Sequence, residues 1–146
     1  MVGVLILTHG GLATELLAAA RVISGNLEDF AALALEWSDG FEEAHGKVGR
    51  ALRGLDVGHG ILILTDILGG TPFNVAMAYR EPGRIEVVSG VNLPMVVRLG
   101  CLVSDDVPVA KITGWIRDKG RSSICASDDL PRAPSRTEPC GDDDGD

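Results

Sequence analysis

The chain has 146 residues, 45% hydrophobic and 23% charged, with a formal net charge of −8. That length suits one domain with its own core, and that balance is an ordinary globular one. Residues 128–146 hold seven acidic and two basic side chains, or −5, while the other 127 residues carry 14 acidic and 11 basic, or −3. The body is thus nearly balanced, and it lacks the basic stripe that a nucleic-acid binder needs.

Residues 2–7 (VGVLIL) form a continuous apolar run, the pattern of a strand buried on both faces. The run is too short for a signal peptide or a membrane span and has no basic segment before it. Residues 12–23 (LATELLAAARVI) have helical spacing, stopped by Ser24-Gly25-Asn26. Residues 31–36 (AALALE) read as a second strand. Residues 40–55 read as an amphipathic helix, with Phe41, Ala44, Val48, Leu52 and Leu55 on one stripe. Residues 61–65 (ILILT) make a third buried strand. Thr71-Pro72 then offers an N-cap and an N1 proline for a helix to about Tyr79. Residues 84–88 (RIEVV) are less apolar and suit a strand nearer an edge. Helices follow from Asn92 to Leu99 and over 105–119. Residues 126–146, rich in Pro, Ser and Asp, have the composition of a disordered tail.

Strands alternate with helices throughout. That order predicts an α/β fold, with a mainly parallel sheet of about four strands and helices on both faces. Such a sheet gathers the C-terminal ends of its strands on one edge, where ligands bind at a switch in strand order. Strand one ends in Thr8-His9-Gly10-Gly11, strand three in Thr65-Asp66 followed by Gly69-Gly70-Thr71-Pro72, and strand four in Ser89-Gly90-Val91-Asn92. A histidine, an aspartate, hydroxyls and three glycine-containing turns therefore share that edge. Helix N-termini at 11–12, 71–73 and about 93 add N–H groups that favour an anion, phosphate above all.

Chemistry follows from the pair His9 and Asp66. A carboxylate that accepts from one imidazole nitrogen fixes the tautomer and leaves the other nitrogen as a nucleophile. A lone histidine or aspartate at a strand end is more often structural. Their joint placement on the ligand edge, each beside glycines, favours the functional reading. His59 precedes strand three and belongs at the opposite edge, one strand length or about 17 Å away. His45 reads as a solvated mid-helix residue, Cys101 as a small buried apolar group, and Trp37 and Trp115 as packing residues or partner anchors. The three cysteines show no CxxC spacing, which argues against a disulfide framework or a zinc knuckle and suits a reducing, cytoplasmic setting. No GxGxxG, Walker GxxxxGK or GxSxG motif occurs, and no metal or cofactor is expected.

The segments VLILTHGGLATELLAAARVISG, ILILTDILGGTPFNVAM and VVSGVNLPMVV, with GRSSI at 120–124, resemble the enzyme IIA component of the mannose-class phosphoenolpyruvate-dependent sugar phosphotransferase system. The resemblance covers residues 1–124 and leaves 125–146 as a separate acidic tail. It implies that His9 is phosphorylated by the phosphocarrier HPr and passes the phosphoryl group to an enzyme IIB component, with Asp66 orienting the imidazole. It places Thr71, Gly10, Gly70 and Ser89 around the phosphate. Thr71 stands where relatives usually have serine, a change that keeps the hydroxyl donor. The resemblance also implies a homodimer, sometimes with a C-terminal strand exchanged at a sheet edge. Contact with the membrane is then only indirect, through IIC and IID subunits. The same residues would serve a regulatory switch read by another protein, or a relay to a dihydroxyacetone kinase. Gly100-Cys101, Pro108 and Gly114 depart from the expected helical C-terminus, and the acidic tail has no counterpart in the resemblance.

Overall fold

The computed structural model describes residues 2–25, 27–55, 58–102 and 107–130. Its elements run β1 (Gly3–His9), α1 (Leu12–Ser24), β2 (Phe30–Leu35), α2 (Phe41–Leu55), β3 (Ile61–Thr65), α3 (Thr71–Tyr79), β4 (Ile85–Ser89), α4 (Leu93–Gly100) and α5 (Val109–Ser122). A short 3-10 turn at Ser127–Asp129 follows. The sheet order is β2-β1-β3-β4, and every pairing is parallel. The expected α/β architecture is therefore present, with five α-helices over four strands. No additional C-terminal strand occurs among the described residues.

Side-chain alternation along the strands splits the core into two layers. Val4, Ile6, Leu62, Leu64 and Val88 pack with α1, α4 and α5. Leu5, Leu7, Ile61 and Ile63 pack with α2 and α3. This explains why β1 and β3 read as unbroken apolar runs, since both of their faces are covered. β2 and β4 are the two edges, and β4 alternates buried and partly exposed residues.

The chain leaves β1 for β2 on one side and returns to β3 on the other. The switch in strand order thus lies between β1 and β3, and the crevice outside their C-terminal ends is where such sheets bind ligands. His9 is the last residue of β1, and Asp66 immediately follows β3.

Several boundaries and environments differ from the sequence reading. Gly70, not Thr71, is the N-cap of α3. The last helix begins after Pro108, whose ring and missing N–H suit a helix start. Residues 105–106, expected at the start of that helix, and 131–146, expected in the tail, lie outside the described residues. His45 is not simply solvated: it stacks on Tyr79 with ring centroids 4.3 Å apart, and the Tyr79 hydroxyl donates to the His45 carbonyl at 2.8 Å. Cys101 is partly buried, and Cys125 is free and exposed.

Candidate functional site

His9 belongs to the odd-numbered series of β1, whose side chains leave the sheet on the α2 and α3 face. Thr8 points the other way and is fully buried. Its Oγ1 accepts the Ala13 N–H at 2.7 Å, so the hydroxyl before the histidine serves the first turn of α1.

Asp66 holds His9 at two points. The carboxylate Oδ2 accepts the His9 backbone N–H at 3.0 Å and lies 2.8 Å from Nδ1. Its Oδ1 accepts the Ile67 N–H at 2.9 Å. The side chains of His9 and Asp66 are 22% and 9% exposed, so the pair is sheltered but reachable. Burial pushes the Asp66 carboxyl upward, yet the hydrogen bonds from the His9 backbone, the His9 ring and the Ile67 N–H outweigh it and leave the group below the ordinary carboxylate range. Asp66 is therefore an anion at neutral pH. An anion at Nδ1 places the ring proton on that nitrogen and leaves Nε2 as the acceptor.

Nε2 lies beside the start of α3. A Cβ built on Gly70 would stand 2.9 Å from His9 Cε1 and 3.6 Å from Nε2. Glycine is required there for room, because φ −75° and ψ 173° suit any residue. Gly10 differs: its φ of 55° is in the left-handed region, and a Cβ would meet nothing within 4 Å. Gly10 allows the turn after β1, whereas Gly70 allows the close approach of ring and helix.

The three helix N-termini at this edge are not equivalent. Thr8 occupies an N–H of α1, and Asn92 Oδ1 accepts the Met95 N–H of α4 at 3.2 Å. No side chain caps α3 among the described residues. Thr71 and Phe73 in its first turn have no intrahelical acceptor for their N–H groups, and Thr71 is exposed there. The uncapped helix end, with its positive dipole, is thus the one beside His9 Nε2.

Ser89 is placed differently from the other candidates. It pairs in register with Thr65 on the strand beyond β3, about 10 Å from the line of β1 at two strand spacings. Its Oγ and that of Thr65 are buried without a hydrogen-bond partner among the described residues. His59 is exposed at the opposite edge. No group of three or more His, Cys, Asp or Glu among the described residues is arranged to hold a metal.

Sequence reasoning left out one neighbour. Trp37 stacks on His9 with ring centroids 5.0 Å apart and an interplanar angle of 25°. The order β2-β1 explains it, since His9 is the register partner of Leu35, two residues before Trp37. Knowing that β2 flanks β1 would have brought residue 37 to the site. Leu12, Phe41, Ile67 and Leu68, on the segments that leave this edge, are exposed too.

Together these features place an oriented imidazole, an anchoring carboxylate and an open helix end on one edge of a parallel α/β sheet. The family described as the PTS system fructose IIA component matches residues 3–106. The mannose-specific EIIAB component of Escherichia coli K12 is 30% identical over 126 residues, which are 86% of this chain and 39% of the relative. The fructose-specific EIIA component of Bacillus subtilis 168 is 31% identical over 100 residues, 68% of each chain. The mannose/sorbose-specific IIA subunit from Enterococcus faecalis superposes with a TM-score of 0.78 at 29% identity, covering 91% of this chain and 98% of that one. The chain belongs to the mannose-class EIIA family of the sugar phosphotransferase system. It spans 39% of the length of the E. coli relative. No helix among the described residues is long and apolar enough to cross a membrane.

Proposed function

We propose that His9 carries a phosphoryl group from phospho-HPr to an enzyme IIB component of a sugar phosphotransferase system. The observation that carries this reading is the 2.8 Å contact of Nδ1 with Asp66, which directs Nε2 to the uncapped start of α3.

The mechanism follows from those positions. Asp66 keeps the proton on Nδ1. The Nε2 lone pair attacks phosphorus in line, an Nε2–P bond forms, and the P–N bond of the donor phosphohistidine breaks. The donor imidazole leaves with that electron pair. His9 becomes a cationic phosphoimidazolium, and the Asp66 anion opposes its charge. The N–H groups of Thr71 and Phe73 and the Thr71 hydroxyl receive the phosphoryl oxygens, with the turn at Gly10 giving access from the other side. Positioning and charge stabilisation supply the catalysis. The reverse geometry delivers the group to the next carrier. The same reading treats residues 1–124 as the functional domain and a homodimer as its working form.

Discharge tests this relay. The protein is labelled with phosphoenolpyruvate, enzyme I and HPr, freed from the donors, and mixed with a mannose-class IIB component. The label should move to IIB within the mixing period. Retention of the label on this chain, with an active IIB confirmed by a second EIIA, would contradict the relay.

A further inference from the structure

We infer that Trp37 is a positioning residue for His9: its indole forms a wall that holds the imidazole with Nε2 toward α3 and favours the cationic ring over the neutral one. The inference rests on the reading of His9 as the phosphoryl carrier.

Trp37 does not behave as a packing residue. It is 85% exposed, yet one face meets the His9 ring at 5.0 Å between centroids. An apolar core would bury such a side chain, and Trp37 contributes to neither core layer. Its turn is also pinned. Asp39 Oδ2 accepts the Glu36 N–H at 3.0 Å and the Lys47 ammonium at 2.7 Å, and the Asp39 N–H donates to the Glu36 carbonyl at 3.0 Å. The Lys47 side chain, then the Glu36 N–H, hold the Asp39 carboxyl below its ordinary range, so this clasp is charged at neutral pH. Residues 36–39 thus present the indole from a closed turn tied to α2.

The consequence is geometric and electronic. Asp66 fixes the His9 ring at Nδ1, and Gly70 borders its Cε1–Nε2 edge. Neither covers the ring face, which the indole does. Stacking limits rotation of the imidazole about its side-chain bonds. An indole face attracts a cation more strongly than a neutral ring, and phosphorylation turns the imidazole into a cation. The contact therefore strengthens as the phosphoryl group arrives, which is the condition for speeding the step.

A test must separate positioning from docking, because an exposed tryptophan is also suited to anchor a protein partner. Phosphoramidate serves as a donor without a protein surface: its P–N bond breaks, ammonia leaves, and Nε2–P forms. The full chain is compared as wild type, Trp37→Ala and Trp37→Phe. Three quantities are read: the rate of His9 labelling by phosphoramidate, the half-life of the phosphoprotein after donor removal, and the His9 ring-proton NMR shifts. In Trp37→Ala, labelling rate and half-life should each fall roughly 3- to 10-fold. The ring protons should move downfield as the ring current is lost. Trp37→Phe, which keeps an aromatic face, should recover most of all three. Labelling and half-life within about twofold of wild type in Trp37→Ala would overturn the inference. So would a defect seen only with phospho-HPr, which assigns the indole to docking. Wild type that accepts from phosphoramidate but never from phospho-HPr would instead overturn the carrier reading, with the ring shifts still reporting on the stack.

Discussion

Replacing Gly70 by alanine tests how closely the His9 ring is fitted to α3. The added Cβ would stand 2.9 Å from Cε1, whereas carbon atoms rest at about 3.5–4.0 Å. The ring or the helix start must therefore yield by about 0.6 Å or more. The backbone at position 70 (φ −75°, ψ 173°) accepts alanine without strain, so the effect is steric. The ring has little freedom to retreat, with Asp66 2.8 Å from Nδ1 and the Trp37 indole on its face. A displacement approaching 1 Å costs on the order of 10²-fold in a positioned reaction, so acceptance from phospho-HPr should slow by about 10- to 100-fold. Loss of a glycine cap for alanine costs only about 0.5 kcal/mol in stability. Initial rates of label uptake, measured beside circular dichroism and urea unfolding, separate the two effects. A folded Gly70→Ala protein that accepts label within about twofold of the wild-type rate would refute the steric argument.

Other expectations follow from the same geometry. Asp66→Asn removes the anion that fixes the ring tautomer, and label uptake should fall on the order of 10²-fold with circular dichroism unchanged. The Asp66 carboxyl is depressed in the folded protein, so its contribution to stability is present above the ordinary carboxylate value of about 4 and is lost as pH falls through the folded value. Urea midpoints measured downward from pH 5 should therefore decline more steeply in wild type than in Asp66→Asn. Ile63 is fully buried on the central strand β3, and Ile63→Ala should cost about 2–5 kcal/mol in urea unfolding through the cavity it leaves. Gly114 lies within α5, where a Cβ would meet only the tip of Arg117 at 4.0 Å. Gly114→Ala should raise stability by about 0.5–1 kcal/mol, seen as a higher melting temperature with unchanged label uptake.

The parts legible in sequence are those governed by local pattern. The unbroken runs at 2–7 and 61–65 marked strands covered on both faces, and the alternation of strand and helix fixed a parallel sheet. Because parallel strands present their C-terminal ends together, His9 and Asp66 fell on one edge, and the structure brings them to 2.8 Å. The parts not legible depend on strand order and on approach across the sheet. Nothing local to Trp37 marks it as a neighbour of His9; that requires β2 beside β1. Gly70 and Gly10 look alike in sequence, yet one makes room for a ring and the other for a turn. Thr8 resembles a site hydroxyl but belongs to α1 through Ala13. The Thr71-Pro72 start of α3 was displaced by one residue, because the cap is a glycine with no side chain to donate or accept. The stacking of His45 on Tyr79 joins α2 to α3 and has no signature in the periodicity of either helix.

The most direct measurement follows label from phosphoenolpyruvate through enzyme I and HPr onto this protein, wild type beside His9→Ala. Wild type should acquire an acid-labile, base-stable phosphate that peptide mapping places on His9, and folded His9→Ala should acquire none. Equal labelling of both proteins, or no labelling of folded wild type beside an active control carrier, would contradict the account.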